Sequence, residues 1–541
     1  MSTLLVGNTV VWMGSTVRKR RRRRQGCLHQ RKGSARFEIG SFETLEARSL
    51  LSADGLGGVD MHSHSHSDHA EAVAIDPDVE IGHDLVATEI SQSSSSLPPN
   101  QLPKLHSHET ATQKIFLDFT GHVVHGTGWN ELNRGQPIHA PAFDIDGDDE
   151  SFSPTEVQLI EEIWARVAED FAPFDLDVTT EAPSVRSLRA GSEAMRVLIS
   201  TNVDSASGRQ WFSSGTGVAY MNSWGSQTDT PAWVFANRLG ASAKRIAESV
   251  SHELGHAFGL DHDGTGVGDG THDENHEEHG EEYYYGHGDA ATGWAPIMGI
   301  GYNRPVTQWN SGEYMLSSNS QDDIATIASE RNNIQVRTDD HADQIAFAQY
   351  IETGIAGQAS QSGLISTRHD RDIFRLDLES GAINVMVAGA SVGSNLDIEV
   401  SLFDAEGSLL KTFGTDDSLS VAVHADVSAG TYYLGIDGVG RGDPASDGYS
   451  DYGSLGQYSI TGLIPTYSES RTESTAAFNS HFRGIVLAAI RAQARQYLLG
   501  ETSDEEERTT DTADRWRPIT PQVDAIMQAR AAARRLRSRF V

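Results

Sequence analysis

Apolar positions recur along the middle of the chain with two distinct periods. Lys114-Ile115-Phe116-Leu117-Asp118-Phe119 is a short apolar run of β-prone residues, which predicts a central strand, and Val178-Thr179-Thr180 and Arg196-Val197-Leu198-Ile199-Ser200 repeat that character. Between them, Ser153-Pro154-Thr155-Glu156 has the form of a capping box with proline at the first helical position. Val157, Ile160, Trp164, Val167 and Phe171 follow at helical spacing, so a helix ending at Pro173 should bury that stripe. A second helix is expected over Ala243 to Phe258, with Ala247, Val250, Leu254 and Ala257 as its core face. Gly215 to Trp224 is glycine-rich and then apolar, which suits either an antiparallel edge strand or an ordinary buried one. Ser320 to Glu330 reads as a helix that closes this domain, whose limits are set at 109–335.

From 340 to 464 the pattern changes to short alternating strands with Gly, Asp and Ser turns at regular spacing, which predicts an all-β sandwich. Two helices, 477–499 and 521–538, are expected in a tail covering 465–541. The fold class is therefore multidomain: an α+β domain with a mixed twisted sheet, then a β-sandwich, then a helical tail. Because the β module has its own pattern, a fragment covering 109–335 is expected to fold alone.

Composition narrows the setting. The chain has 541 residues, enough for two to four domains, and 42 Lys and Arg against 76 Asp and Glu give a net charge of −34. That balance argues against nucleic acid or an anionic membrane as partner and fits a secreted protein, with calcium as a cation it can bind. The single cysteine, Cys27, lies in the leader, so the folded parts hold no disulfide, as in bacterial export. No run of 18 apolar residues is present, so no transmembrane segment is expected. Residues 1–55 read as a targeting segment, with the basic run Arg18 to Arg24, in preference to a nucleic-acid patch. Residues 56–108 read as a disordered linker or an inhibitory pro-segment, and the run His62 to His69 within them is either a metal mask or part of a solvated tether.

The chemistry concentrates in His252-Glu253-Leu254-Gly255-His256-Ala257-Phe258-Gly259-Leu260-Asp261-His262-Asp263. On a helix, His252 and His256 project from one face towards one metal ion, and Gly259 lets the backbone turn back to deliver His262. Three neutral imidazoles leave a fourth tetrahedral position for water, whose pKa on zinc falls to about 7, and Glu253 stands beside them as a base rather than a ligand. Four further histidines, His272, His276, His279 and His287, lie in an acidic insert that is expected to be a solvated loop over the cleft, a second metal being the other reading. Asp144, Asp146, Asp148 and Asp149 form an acidic loop, either a calcium loop or a solvated turn; Asp149 and Thr155 at the sixth and twelfth positions exclude an EF-hand.

The HExxHxxGxxHD motif resembles that of the metzincin zinc metalloproteases, and Ala295 to Tyr302 resembles their methionine turn, with Met298 in the floor position. The resemblance implies a zinc endopeptidase acting on proteins or peptides, with His252, His256 and His262 as metal ligands and Glu253 as general base. Asp263 after the third histidine follows the adamalysin pattern, whereas Tyr302 lies four residues after Met298 rather than two and is not assigned to the metal. Phe42 to Ala53 resembles the LEPR-XLL segment of bacterial extracellular proteins, with Ala47 in place of the motif's proline. Asp370 to Phe374, Leu396 to Asp404 and Ala429 to Ile436 resemble the pre-peptidase C-terminal domain, which implies cell-surface or matrix association and calcium, with Asp370 and Asp372 as ligands or plain strand ends. The alternative is a non-catalytic surface protein that retains the domain as a scaffold; the intact Glu253 speaks against it.

Overall fold

The computed structural model describes residues 96–466, except 190–192, 268–279, 290–292 and 416. The expectations for 1–55, for the run His62 to His69, for His272, His276 and His279, and for the tail beyond 466 lie outside the described residues. The described part is mixed α/β, with few helices and many strands in several sheets. No helix among the described residues is long and apolar enough to cross a membrane.

The first layer is a five-stranded sheet made of β1 (Lys114–Asp118), β2 (Asp177–Thr179), β3 (Ala194–Ser200), β4 (Gly217–Val218) and β5 (Ala232–Phe235), in the order β2-β1-β3-β5-β4. All neighbours are parallel except the edge strand β4, which runs antiparallel to β5. Parallel strands must be covered on both faces, and β1, β3 and β5 are accordingly almost continuously buried. Two helices, α1 (Pro154–Asp170) and α2 (Ala243–Phe258), pack together and share one hydrophobic cluster with strand residues. The capping box of α1 is formed by Ser153 and Glu156. Its buried face is broader than the predicted stripe: Ile160, Val167 and Phe171 are in the core as expected and Leu159 and Ile163 join them, while Val157 and Trp164 are only partly buried. Trp164 instead donates its indole N–H to the Val178 carbonyl of β2.

Residues 96–108, read from sequence as the end of a linker, lie against this layer. Leu97 bridges Phe152 through two backbone hydrogen bonds, and Leu105 to His108 are held by Thr180 and Asp177. Their polar composition hid this, because most of these contacts are made by the backbone and by buried carboxylate, with Leu102 packed against the core beside them.

The second layer pair is a β-sandwich. One sheet holds β6 (Gln349–Tyr350), β8 (Arg371–Leu378), β13 (Gly430–Gly438), β10 (Ile398–Phe403) and β11 (Leu409–Phe413); the other holds β7 (Gln358–Ile365), β14 (Gly456–Leu463), β9 (Gly381–Gly389) and β12 (Val421–Val427). Alternating inward residues such as Val385, Val400, Leu434 and Ile460 make its core. The sandwich also closes onto the first domain. Tyr452 enters the first domain's core, Asn395 donates to Asp170 of α1 and accepts from Gln308, and Gln457 donates twice to Glu169. These contacts disfavour the expectation that 109–335 folds alone, since truncation would strip partners from buried carboxylates.

Burial pushes the Glu169 carboxyl up to about 8 and the Asp170 carboxyl up to about 6. A carboxyl whose folded pKa is raised stabilises the fold below its ordinary pKa and loses that stability as pH rises through the raised value. The full chain should therefore melt lower at pH 9 than at pH 5, and Glu169→Gln should melt about 3 °C or more above the unmutated protein at pH 9 but not at pH 4. Parallel thermal scans at pH 4, 5 and 9 check this; equal gaps between the two proteins at pH 4 and pH 9 would deny that Glu169 is the titrating group.

Candidate active site

Helix α2 begins at Ser242, whose hydroxyl accepts from the Arg245 N–H, and ends at Gly259, whose φ of +109° only glycine adopts without strain. The N–H groups of Gly259 and Leu260 both return to the Gly255 carbonyl, which reverses the chain and brings His262 beside the helix. Asn222 and Trp224 cap further carbonyls at His256 and Ala257. Ala247, Val250, Leu254 and Ala257 are buried in the common core and fix the rotation of the helix, so His252 and His256 face away from that core.

The three histidines converge. Their ring centroids lie 4.8 Å (252 to 256), 5.2 Å (252 to 262) and 4.7 Å (256 to 262) apart, and one ligand atom from each lies within 4.8 Å of the others. Each Nδ1 faces an acceptor: His252 the Ile297 carbonyl at 3.0 Å, His256 the Leu260 carbonyl at 2.8 Å, and His262 the Glu282 carboxylate at 3.0 Å. A carbonyl or carboxylate cannot donate, so all three Nδ1 atoms carry the proton in the neutral ring, and the lone pairs reside on Nε2. The Nε2 atoms of His256 and His262 are 3.0 Å apart. Two lone pairs at that distance repel unless a cation lies between them, and a set of three neutral imidazoles with their outer nitrogens so committed fits zinc.

Glu253 is 4 % exposed and lies against β4. A Cβ at Gly217 would come within 2.5 Å of Glu253 Oε1, so glycine is required there for the carboxylate to occupy its place. Gly217→Ala should displace Glu253 while leaving the histidines alone: peptide turnover should fall at least about 10-fold, given the distance sensitivity of proton transfer, with zinc content unchanged. Equal turnover by the variant would remove Gly217 from the site.

Met298 is fully buried and lies under Gly255, between the two helical histidines, in the turn that follows the strand Trp294–Pro296. Its carbonyl accepts from the Asp263 N–H, and Ile297 pairs with Gln308. Tyr302 is turned away from the histidines: its hydroxyl pairs with Ser249 and Thr216, each at 2.8 Å, and burial raises its pKa. It ties α2 to the approach of β4.

The described part of the acidic insert is not a free loop. Glu282 and Tyr283 reach the histidine group, with the Tyr283 ring 4.3 Å from that of His262. Sequence reading missed both; the run Tyr283-Tyr284-Tyr285 inside an otherwise polar insert was the signal. His287 stands apart from the group, between Tyr284 and the Gly448 carbonyl of the sandwich. In the acidic loop, Asp144 and Asp146 spend an oxygen each on their own backbone, and Glu156 accepts from Ile145 and Ser153.

Among solved structures, a pre-peptidase C-terminal domain of a collagenase from Bacillus anthracis is similar at 12% identity over 21% of this chain and 91% of that chain, with a TM-score of 0.16. A mitogen from Yersinia pseudotuberculosis matches at 12% identity over 22% and 93%, TM-score 0.15, and a family 35 carbohydrate binding module from an environmental isolate at 17% over 23% and 90%, TM-score 0.13. No curated protein matches the chain. Residues 175–263, which run from the sheet through α2 to just past His262, match the family described as Metallo-peptidase family M12B Reprolysin-like, so this part of the chain is similar to the metallopeptidases of that family.

Proposed function

We propose that the chain is a secreted zinc endopeptidase of the metzincin kind, with His252, His256 and His262 holding the metal, Glu253 as general base and Met298 in the floor of the site. The observation that carries this reading is the convergence of three Nε2 atoms whose Nδ1 partners are all acceptors. Zinc, when bound, supplies the Lewis acidity that activates water and polarises a peptide carbonyl. Glu253 takes the proton from the attacking water and delivers it to the amide nitrogen as the C–N bond breaks. Its burial beside Gly217 keeps competing water away from the carboxylate and fixes its direction. The side of β4 that pairs with no strand among the described residues would offer main-chain groups to an extended peptide, held as an added strand.

Peptidase at 109–335 and sandwich at 340–464 remain the proposed division, with 96–108 travelling with the peptidase. Export rests on the leader at 1–55, and surface or matrix association is assigned to the sandwich. Calcium is assigned to the sandwich too. Asp370 converges with Asp339 and Asp343, and Asp372 with Asp340 and His341. Asp370 Oδ1 and Asp372 Oδ1 are buried with no hydrogen-bond partner among the described residues, and burial pushes the two carboxyls up to about 6 and about 8. The all-carboxylate group of Asp339, Asp343 and Asp370 suits calcium, whereas His341 brings a nitrogen to the other. Millimolar calcium should raise the melting temperature of the full chain by several degrees and that of Asp370→Asn by much less, following mass-action stabilisation of about 2.7 kcal/mol at 100 times the dissociation constant.

The function itself is tested by exposing the purified full chain to a peptide library and following fragments by mass spectrometry. Internal cleavage abolished by a zinc chelator is expected. Zinc binding without any cleavage would favour the scaffold reading.

A further inference from the structure

The stretch 280–288, which returns from the acidic insert, is strapped in place from three sides. On the first, Thr265 donates its N–H to the Glu281 carbonyl at 2.9 Å, and Tyr284 donates to the Asp263 carbonyl at 2.7 Å. On the second, Ile300 of the methionine turn donates to the Tyr284 carbonyl at 2.9 Å. Arg304 then spends its whole guanidinium on this stretch, reaching the carbonyls of Tyr285, Gly286 and Gly288 at 3.0, 2.9 and 2.7 Å. The third side is the β-sandwich: His287 Nε2–H donates to the Gly448 carbonyl, which leaves Nδ1 to accept from the Tyr284 hydroxyl.

Held this way, the strap presents two side chains to the histidine group. Glu282 accepts from His262 Nδ1, and the Tyr283 ring lies over His262 and 6.1 Å from His252. His252 and His256 are oriented by backbone carbonyls within the helix turn and the methionine turn, which any side chains would supply. The Nδ1 of His262 instead faces a side chain, the Glu282 carboxylate, and His262 sits on the chain that has left the helix.

We propose that Glu282 is the positioning residue of the third metal ligand, and that the sandwich, through Gly448 and His287, holds it in register, so that the β module is a working part of the metal centre. The inference rests on the zinc reading above. A carboxylate on the outer nitrogen fixes the tautomer, aims Nε2 and makes it a better donor to a cation. Closing the strap against the ring also excludes water from one side of the group.

The test uses the full chain and reads zinc affinity by competition with a chromophoric chelator. Glu282 is half exposed, so Glu282→Ala should fold, and it should bind zinc about 10- to 100-fold more weakly. Glu282→Gln keeps an oxygen that accepts from Nδ1–H and should return to within about threefold of the unmutated affinity. His287→Ala, which cuts the tie to Gly448 without touching the histidine group, should weaken zinc several-fold in the same direction. A Glu282→Ala affinity within twofold of the unmutated chain, or a Glu282→Gln loss as large as that of Glu282→Ala, overturns the proposal. Failure of the unmutated chain to bind zinc at all would strike the zinc reading instead.

Discussion

His256→Ala should leave the purified chain almost free of zinc and without peptidase activity. Of the three histidines, His256 is the most buried, at 3 % exposed, and its Nε2 is the one that stands 3.0 Å from that of His262. Removing it takes away a direct ligand, so the loss of affinity should exceed the roughly 10- to 100-fold that partners one layer out are worth. The fold should survive, because the core face of α2 is made by Ala247, Val250, Leu254 and Ala257 rather than by the histidines. Metal analysis after gel filtration, beside a circular dichroism spectrum, reads both. Retention of one zinc per chain by this variant would show that the metal lies elsewhere.

Glu253→Gln should behave in the opposite way, keeping zinc and losing turnover. The amide has the volume of the carboxylate and fits the same place beside Gly217, but it cannot take a proton from water. A positioned general base contributes about 10²- to 10⁴-fold in rate, and that is the expected fall in kcat, with KM little changed. Steady-state kinetics on a quenched peptide substrate measures it. A variant with kcat within a few-fold of the unmutated chain would mean that another group takes the proton.

The parts of this arrangement legible in the sequence are those set by local periodicity. The spacing of His252 and His256, the glycine at 259, the capping box at Ser153 and Glu156, and the alternation of the sandwich strands are short-range patterns, and each is present in the fold. What the sequence concealed depends on which segments meet. The expected stripe of α1 holds at Ile160, Val167 and Phe171, but α1 packs on α2 as well as on the sheet, so its buried face is broader than one stripe and takes in Leu159 and Ile163 while Val157 and Trp164 are only partly buried. Gly217 against Glu253 and Glu282 against His262 join residues distant along the chain, and a lone glycine or glutamate announces neither contact. The same holds for Asn395, Tyr452 and Gln457, polar residues in a module with its own alternating pattern, which turn out to close on the first domain. Polar satisfaction across a boundary leaves no mark on hydrophobic periodicity.

The most direct measurement takes metal content and peptide hydrolysis from the same preparations of the unmutated full chain and of Glu253→Gln. About one zinc per chain in both, with internal peptide-bond cleavage by the first and a fall of about 10²-fold or more in the second, is the expected result. Equal turnover by the two would contradict the account, as would cleavage by a chain that carries no zinc.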